Sequence, residues 1–544
     1  MKRIRYWLIG ALVILMAAFA VSCKGWNDDP QGTSGHQHDF ANGSCRACGE
    51  ADPDMDFHFS LNKNTDDKTY ELSGGGFGCT VLAVPKTYRG YPVVGIGEKA
   101  FYERNIREVI LHEGIQTIGG SAFARCESLE KVTIPEGVTS IGDAAFARCE
   151  ALEKVTIPEG VTSIGGNAFS RCRRLQEITI PGSVRTIGPS AFSSCHRLGA
   201  IALGDGVQEI GEYAFSGCGT SRAIEDLTLP ASTTVIGEGS FAGANIVRLT
   251  VNGSEGCSIS KRAFSACALL KTVVIGDGMA SIGESAFDDC SALETVVIGN
   301  GVENIGKWAF AKSGVQTVAF GDTVQTIGAN AFSGCSRLQS VVLPDGLRTI
   351  GEDAFNGCVH LNSATLGRDL QEIGADAFSI ESTLLEIVNR SALPLVAGSK
   401  EYGGIAKNAR TIRTEAGERQ YFATTEDGYR FYEDDEVSYL LQYVGDGTEL
   451  ILPESSPSGR AYSIYTCAFY EDDRITAVTI PACVRRIDPL VFTRCTSLTS
   501  LAFVCTDGWY EVYQEERSAI DASDPAKNAS RVELEYYLKA WIRE

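Results

Sequence analysis

Four potential metal ligands lie close together near the N-terminus. His36 and His38 precede Cys45 and Cys48, and only two residues separate the cysteines. Cysteine thiolates and histidine nitrogens are the usual ligands of structural zinc, and a CxxC pair beside a glycine is half of a zinc knuckle. The four residues therefore predict one structural zinc ion. A Cys45–Cys48 disulfide and two free thiols are the alternatives.

The other histidines show no catalytic pattern. His112, His196 and His360 lie within repeated segments, where a tolerated surface substitution is the simplest interpretation. The sequence contains no GxSxG, HExxH or P-loop motif, and neither a Cys–His nor a paired-carboxylate arrangement stands out. The sequence therefore favours a protein that is not an enzyme. An enzyme confined to residues 381–460 is the alternative.

Charge narrows the class of partner. The 544-residue chain has 48 Lys and Arg against 69 Asp and Glu, which gives a formal net charge of −21. A protein this acidic repels phosphates, so nucleic acid is not expected as a partner.

Most of the chain is an internal repeat. Phenylalanine recurs from Phe101 to Phe378 at a spacing of 23 residues in most steps, and Phe469 and Phe492 are again 23 residues apart. The repeated pattern is AF-x-x-C-x-x-L-x-x-V-x-I-P-x-G-V-x-x-I-G. A unit this short cannot bury its own apolar edge, and stacking on its neighbours does so. The period therefore predicts a solenoid.

One repeat shows how the coil is expected to form. Val132 and Ile134 alternate with polar residues, as in a short strand with one buried face. Gly137 and Gly160 follow such strands and are expected to give the backbone freedom of a tight turn. Phe146 then begins a short helical turn on the opposite wall. The predicted fold is a β-rich repeat superhelix with short helical turns and a parallel sheet on one face.

Ten of the 18 cysteines follow a repeat phenylalanine by three residues. Because their position follows the coil, we expect them to be buried, reduced core residues in a column. Parallel side-chain vectors on neighbouring coils are poorly directed for disulfides. The ten are Cys126, Cys149, Cys172, Cys195, Cys218, Cys267, Cys290, Cys335, Cys358 and Cys495.

The repeated motif resembles that of the BspA-like leucine-rich-repeat proteins of bacteria, whose repeat has this 23-residue AFxxCxxLxxVxIP form. The resemblance covers about residues 90–503 and is specific, with more than ten matches. It implies a leucine-rich-repeat solenoid. It also implies a secreted or cell-surface protein, since several members are adhesins for host matrix proteins or partners of other bacterial surfaces.

Residues 1–22 have the order of an export signal, with three basic residues before an apolar run. The ending Ala20-Val21-Ser22-Cys23 resembles a bacterial lipobox, which implies a lipoprotein signal peptide cut before an acylated Cys23. The protein is then exported and lipid-anchored to the bacterial membrane, and lipid is its only membrane contact. Lys24 after the cysteine favours the outer membrane and the cell surface. An uncleaved anchor or a cut elsewhere are the alternatives.

The sequence divides into seven segments. The C-terminal one is expected to contain a helix that begins at the Ser530–Glu533 capping box and includes Trp541. The segments are 1–22 signal peptide, 23–56 acylated cysteine and flexible linker with the candidate zinc knuckle, 57–100 N-terminal cap, 101–380 solenoid, 381–460 repeat-interrupting β-rich insert with two strands joined by an acidic turn at 433–436, 461–505 second short repeat block, and 506–544 C-terminal cap.

One series of outward-facing strand positions carries no charge. Within the repeat, the residues that flank the buried strand positions are expected to face solvent, and from residue 272 to residue 342 they are Thr, Ser, Ala or Val. A bare apolar strip on an acidic protein suggests a protein-docking face. The alternatives are that β-branched residues simply suit strands, or that a flanking segment covers the strip. The strip is Thr272, Val274, Thr295, Val297, Thr317, Ala319, Ser340 and Val342.

These features predict a non-enzymatic cell-surface binding protein of the adhesin or receptor type. Its partner is expected to be a host matrix protein, a bacterial surface protein or a glycan. A structural envelope scaffold that acts by self-association is the alternative.

Overall fold

A computed structural model describes residues 40–41, 44–45, 56–62, 68–76, 78–378, 383–414, 421–513, 516–534 and 539–543. The chain divides into two compact units, Met1–Val247 and Arg248–Glu544. Each unit contains stacked coils of about 23 residues, which confirms the predicted solenoid.

Each coil has three walls, which the coil that begins at Lys131 illustrates. The long-strand wall is formed by strands such as Lys131–Thr133, in which only Val132 faces the core. The short-strand wall follows and is formed by two-residue strands such as Ser140–Ile141. The turn wall is formed by segments such as 144–149, which carry the repeat phenylalanine and cysteine.

The phenylalanines of the turn wall form a stack. The ring centroids of Phe146 and Phe169 are 5.3 Å apart, with an angle of 8° between the ring planes. Both side chains are fully buried, as is Cys149. Parallel rings at this distance gain dispersion energy beyond that of their buried area. The repeat therefore places one aromatic layer in each coil that has the repeat phenylalanine.

The turn wall is a series of turns and not the helical turn expected from the sequence. The backbone N–H of Phe146 donates to the carbonyl of Ala168 in the next coil at 2.8 Å, so hydrogen bonds run between coils. Ala144 and Arg148 have left-handed backbone conformations, with φ of 54° and 59°. Two left-handed residues per coil turn the chain too sharply for a helix.

The glycine after each long strand has a different role from the one predicted. The φ angle of Gly160 does not lie in the left-handed region. A Cβ atom at Gly160 would lie 2.4 Å from the carbonyl oxygen of Glu136 in the preceding coil. Glycine is therefore required there because two coils approach closely, and not because the turn needs unusual φ values.

The first unit begins with strands outside the repeat. Phe40–Ala41 pairs antiparallel with Ser44–Cys45, and His58–Asn62 pairs with Thr69–Gly74 in the hairpin expected at the N-terminal cap. Tyr91–Ile96 then pairs parallel with Thr69–Gly74 and antiparallel with Thr87–Tyr88. Repeats follow directly on this hairpin.

The repeat strands of the first unit are parallel on both walls. The long-strand wall contains Val81–Ala83, Glu108–Ile110, Lys131–Thr133, Glu177–Ile180, Ala200–Leu203 and Ile224–Leu229; the short-strand wall contains Thr117–Ile118, Ser140–Ile141, Ser163–Ile164, Thr186–Ile187, Glu209–Ile210 and Val235–Ile236.

The second unit continues the same two kinds of parallel strand. The long-strand wall contains Ile246–Val251, Thr272–Ile275, Thr295–Ile298 and Thr317–Ala319 in one sheet, and Ser340–Val342, Ser363–Leu366, Glu386–Asn389 and Thr411–Arg413 in another; the short-strand wall contains Cys257–Ile259, Met279–Ile282, Asn304–Ile305, Thr326–Ile327, Thr349–Ile350 and Glu372–Ile373.

The segment 381–460 does not form a single insert. Glu386–Asn389 pairs parallel with Ser363–Leu366, and Thr411–Arg413 pairs parallel with Glu386–Asn389, so residues 383–413 extend the solenoid. A 3₁₀ turn, Tyr402–Gly404, lies between these two strands. The sequence does not show this extension because the AFxxC signature is absent while the backbone ladder continues.

The rest of that segment opens the second repeat block. Tyr429–Glu433 and Ser438–Tyr443 form the expected antiparallel pair, with Phe422–Thr424 at its edge. Ser438–Tyr443 then pairs parallel with a repeat strand. The repeat strands of this block are Glu449–Ile451, Ser463–Ile464, Ala477–Ile480, Arg486–Ile487 and Ser500–Phe503.

In the described part of the C-terminal segment there is one helix, Pro525–Leu534, which begins five residues earlier than expected. The Asp524 carboxylate accepts a hydrogen bond from the backbone N–H of Lys527 at 3.2 Å, as an N-cap does. Trp541 was expected on this helix but lies in the strand Ala540–Arg543. That strand pairs antiparallel with both Arg486–Ile487 and Trp509–Tyr513, and Glu516–Ala519 forms the edge.

Candidate functional site

Strand alternation turns the predicted strip toward solvent. In Thr272–Ile275, Val273 and Ile275 are buried, whereas Thr272 and Val274 are half-buried. The next strand repeats the pattern, with Val297 exposed. Successive side chains of a strand point to opposite faces, so the V-x-I pattern fixes which residues leave the core.

Six of the eight strip residues form two columns on one sheet. The parallel register places Thr272 beside Thr295 and Val274 beside Val297. The following pair of strands adds Thr317 and Ala319 to the two columns. The Thr317 hydroxyl lies 3.5 Å from that of Thr295. One column is therefore hydroxylic and the other aliphatic.

Ser340 and Val342 belong to a neighbouring sheet. The strand Ser340–Val342 pairs with Ser363–Leu366 and not with Thr317–Ala319. Phe320 takes the place of a repeat isoleucine, and its ring packs edge-on against Phe332 at 5.9 Å. The strand Thr317–Ala319, which precedes Phe320, is one residue shorter than the neighbouring strand Thr295–Ile298. The two parts of the predicted strip are thus separated by a break in the backbone ladder.

The strip residues are exposed or half-buried, and the strip has a polar border. The exposed fraction is 38% for Val297 and 61% for Val342. Lys271, Glu294 and Gln316 precede the three hydroxylic residues of the first sheet and are exposed. An apolar centre with a polar rim is the usual composition of a protein interface. We name the eight residues the neutral strip.

Equivalent positions of the first unit carry charges that neutralise one another. Lys131 Nζ lies 3.0 Å from Glu108 Oε1, and Lys154 Nζ lies 2.9 Å from Glu177 Oε1. The hydrogen bond from Lys154 holds the pKa of Glu177 below its ordinary value. Exposed pairs of this kind contribute little to stability. The neutral strip has no such pairs because none of its eight residues carries a charge.

A flanking segment approaches the strip without covering it. Gln442, in the strand Ser438–Tyr443, accepts a hydrogen bond from Gln339 at 3.0 Å. The same hairpin packs Tyr432 and Leu441 against Leu385. Val342 nevertheless keeps most of its surface exposed.

Sequence comparison identifies the family. A profile described as "BspA type Leucine rich repeat region" matches residues 94–222, 219–336, 310–393 and 451–507, which is more than half of the chain. The chain belongs to the BspA-type leucine-rich repeat family. No curated protein matches this BspA-type chain in sequence.

Several solved structures resemble this BspA-type protein. A leucine-rich repeat protein from Bacteroides ovatus has 29% identity and a TM-score of 0.45, with 61% of this chain and 92% of that one covered. A leucine rich cell surface protein from Faecalibacterium prausnitzii has 27% identity and a TM-score of 0.39, with 66% and 97% covered. The pneumococcal vaccine antigen PcpA has 18% identity and a TM-score of 0.37, with 66% and 97% covered.

The predicted zinc site and lipid anchor lie almost entirely outside the described residues. His36, His38, Cys48 and Cys23 are not described. Only the backbone of Cys45 is, at the end of the strand Ser44–Cys45. The zinc ion and the lipid therefore stay predictions. Among the described helices, none has the length and apolarity needed to cross a bilayer.

The repeat cysteines are core residues of this BspA-type fold. All cysteines with described side chains are free thiols. Burial raises the pKa of Cys126 to about 11 and that of Cys335 to about 12, so both are protonated at neutral pH. Within the described residues, no group of three or more His, Cys, Asp or Glu side chains could hold a metal ion.

The acidic turn at 433–436 is neutralised by its surroundings. Burial alone would raise the pKa of Asp434, but backbone N–H groups of Val437 and Glu436 and the Arg410 guanidinium outweigh burial and lower it. Arg410 also binds Glu436 at 2.7 Å. Glu433 accepts a hydrogen bond from the Ser458 hydroxyl at 2.7 Å. These contacts connect the hairpin of residues 429–443 to the adjacent loops.

The turn wall of the first unit carries a column of arginines that the repeat pattern did not identify. Arg125, Arg148 and Arg171 hold the same place in three successive coils, two residues after the phenylalanine. All three have left-handed φ values, from 59° to 60°. The signal was present in the sequence, because A-F-A-R-C occurs twice and A-F-S-R-C follows it.

Proposed function

We propose that this BspA-type protein is a non-enzymatic binding protein of the bacterial surface, and that its neutral strip docks a protein partner. The observation that carries the proposal is the parallel register of Thr272, Thr295 and Thr317 beside Val274, Val297 and Ala319. This register makes an uncharged surface of half-buried and exposed residues on an otherwise acidic chain.

The partner that fits this surface is a protein with an apolar patch and few charges. A host matrix protein or a protein on another bacterial surface meets that requirement; a glycan could use the threonine hydroxyls. The polar rim formed by Lys271, Glu294 and Gln316 would select the orientation. We further propose that lipid on Cys23 holds the exported protein at the outer membrane, with the repeats facing outward.

A non-catalytic role is consistent with the residues that could do chemistry. The repeat cysteines are buried, and His360 is buried with its Nδ1 bonded to the Ser336 carbonyl at 2.6 Å. Repeat solenoids bind partners over extended surfaces of stacked coils.

The test is binding of the purified chain to a panel of matrix proteins and bacterial surface proteins. The strip variant is Val274→Glu/Val297→Glu/Val342→Glu, which places three carboxylates in the proposed interface. The matched control is Val235→Glu/Val444→Glu/Val504→Glu, at exposed valines outside the strip. We expect a dissociation constant at least about tenfold higher for the strip variant, equal to about 1.4 kcal/mol, and no change for the control.

A milder variant separates docking from folding. Thr133, Thr156 and Thr179 hold the strand position of Val274 in other coils. Val274→Thr/Val297→Thr/Val342→Thr should therefore fold normally and bind with intermediate affinity. An equal loss of affinity in the strip variant and in the control variant would contradict the assignment of the docking surface to the strip. Self-association of the chain without binding to any panel member would replace the proposal with an envelope scaffold.

A further inference from the structure

An excess of positive charge lies on the turn wall of the first unit. Residues 146–198 contain seven Lys and Arg against four Asp and Glu, in a chain with a net charge of −21. Five of these basic residues lie on the turn wall or in the loop that follows it. We name them the arginine ridge: Arg148, Arg171, Arg173, Arg174 and Arg197.

Acidic neighbours neutralise only part of the ridge. Arg173 Nη1 lies 3.6 Å from Glu150 Oε2, and Arg174 Nη2 lies 3.1 Å from Glu153 Oε1. Arg148, Arg171 and Arg197 form no ion pair within the described residues. Three guanidinium groups therefore remain available on three successive coils.

The coil repeat sets the spacing of these charges. The rings of Phe146, Phe169 and Phe192 stack at 5.3 and 5.2 Å, and each precedes a ridge residue by two to five positions. Arg148 and Arg171 share one coil position, two residues after the phenylalanine, whereas Arg197 lies five residues after Phe192, in the loop that follows. Cations on three successive coils are complementary to a linear chain with repeated anions.

The backbone does not explain why arginine occupies the ridge position, because Ser194 and Ala266 hold the same coil position with φ values of 60° and 55°. Arg148 and Arg171 have φ values of 59° and 60°, in the left-handed region that glycine adopts at lower cost. Gly217 and Gly334 hold the same coil position elsewhere, with φ values of 68° and 73°. Folding therefore does not require arginine at this position.

We propose that the arginine ridge binds a sulfated polysaccharide. Guanidinium groups form bidentate, charge-assisted hydrogen bonds with sulfate oxygens, and do so better than ammonium groups. At physiological ionic strength, charges beyond about 8 Å are screened, so the local ridge prevails over the acidic remainder of the chain. A short segment of the polysaccharide is enough to contact three coils.

Heparin is the probe for this proposal, with chemically desulfated heparin and single-stranded DNA as comparators. The test variant is Arg171→Gly/Arg197→Gln in the full chain. The control is Lys312→Gly/Arg337→Gln, which removes two cations from the same coil positions in the second unit. Lys312 also has a left-handed φ, of 54°, so the control matches the backbone effect.

We expect heparin to bind the unmodified chain and the control equally, and the ridge variant at least tenfold more weakly. The ridge variant should have the same or a higher melting temperature, because glycine suits the left-handed position. Arg171→Ser/Arg197→Gln is a second variant, since Ser194 occupies that position with φ 60°. The slope of log affinity against log salt concentration should decrease by the amount expected for the loss of about two cation contacts.

Three results would overturn the proposal. They are no heparin binding at physiological salt, equal weakening in the ridge variant and the control, or binding of single-stranded DNA or desulfated heparin as tight as that of heparin. The neutral strip and the ridge are tested with different probes and different variants. Failure of one proposal is therefore distinguishable from failure of the other.

Discussion

The Sγ of Cys195 lies 3.3 Å from the carbonyl oxygen of Phe169, one coil earlier in the chain. The same relationship links Cys149 to Phe123 at 3.2 Å. Ser313 takes the cysteine position in another coil and donates to the Phe287 carbonyl at 2.7 Å. The carbonyls of Phe169 and Phe123 also accept a backbone N–H of their own coil, so the repeat cysteines donate a second hydrogen bond that links neighbouring coils.

This role predicts that serine can replace a repeat cysteine but alanine cannot. Cys195→Ser keeps a donor to Phe169 and should lower the free energy of unfolding by less than about 1 kcal/mol. Cys195→Ala removes this bond and opens a small cavity, at a cost of about 1–3 kcal/mol, although the Phe169 carbonyl still accepts from the backbone N–H of Cys172 at 3.2 Å. Urea denaturation of the two variants measures the difference. A greater loss for serine than for alanine would contradict the role.

Burial also predicts that the thiol column is unreactive in the native protein. The pKa of Cys126 is raised to about 11 and that of Cys335 to about 12, so few thiolates exist at pH 8. Alkylation followed by mass spectrometry should show modification of half-buried Cys505 before any column cysteine. In denaturant all should react. Rapid native alkylation of Cys195 would show that the column is open to solvent.

His360 predicts a loss of stability in acid. Its imidazole is buried, and burial together with the nearby Arg430 lowers its pKa. A histidine with a lowered pKa favours folding above its ordinary value of about 6.5, and that contribution is lost as the pH falls. The free energy of unfolding should fall less between pH 7.5 and 5 for His360→Gln. Burial also lowers the pKa of His112, but His112 is present in both proteins, so its contribution cancels in the comparison.

The candidate knuckle predicts about one zinc ion per chain purified without chelator. Cys45→Ser/Cys48→Ser should remove it, as measured by elemental analysis, because two of four ligands are lost. Cys79→Ser/Cys505→Ser is the matched control and should keep the metal. Detection of a Cys45–Cys48 disulfide by mass spectrometry would replace the zinc site.

The parts of the fold that repeat could be predicted from sequence. Phe146 and Phe169 stack because each coil presents the same side chain at the same place. The strand Glu386–Asn389 continues the ladder without the repeat signature, because parallel backbone hydrogen bonds do not require particular side chains. Trp541 fits a helical periodicity but lies in a strand, because its ring packs against Phe503 at 5.9 Å in the tertiary structure.

The candidate site could be predicted only in part. Thr272 and Val297 could be placed on the outer face because strand alternation is local. The break between Ala319 and Ser340 could not, because it depends on the packing of Phe320 against Phe332. The left-handed backbone at Arg148 was also hidden, since arginine carries no preference for that conformation.

Direct contact between a partner and the neutral strip is the central feature of the proposed function. A photo-crosslinking residue at Val297 tests this in the full chain, with the same residue at Val235 as the control; both valines are exposed on strands. We predict covalent capture of the panel protein that binds from position 297 and none from position 235. Capture from position 235 alone, or equal capture from both, would contradict docking at the strip.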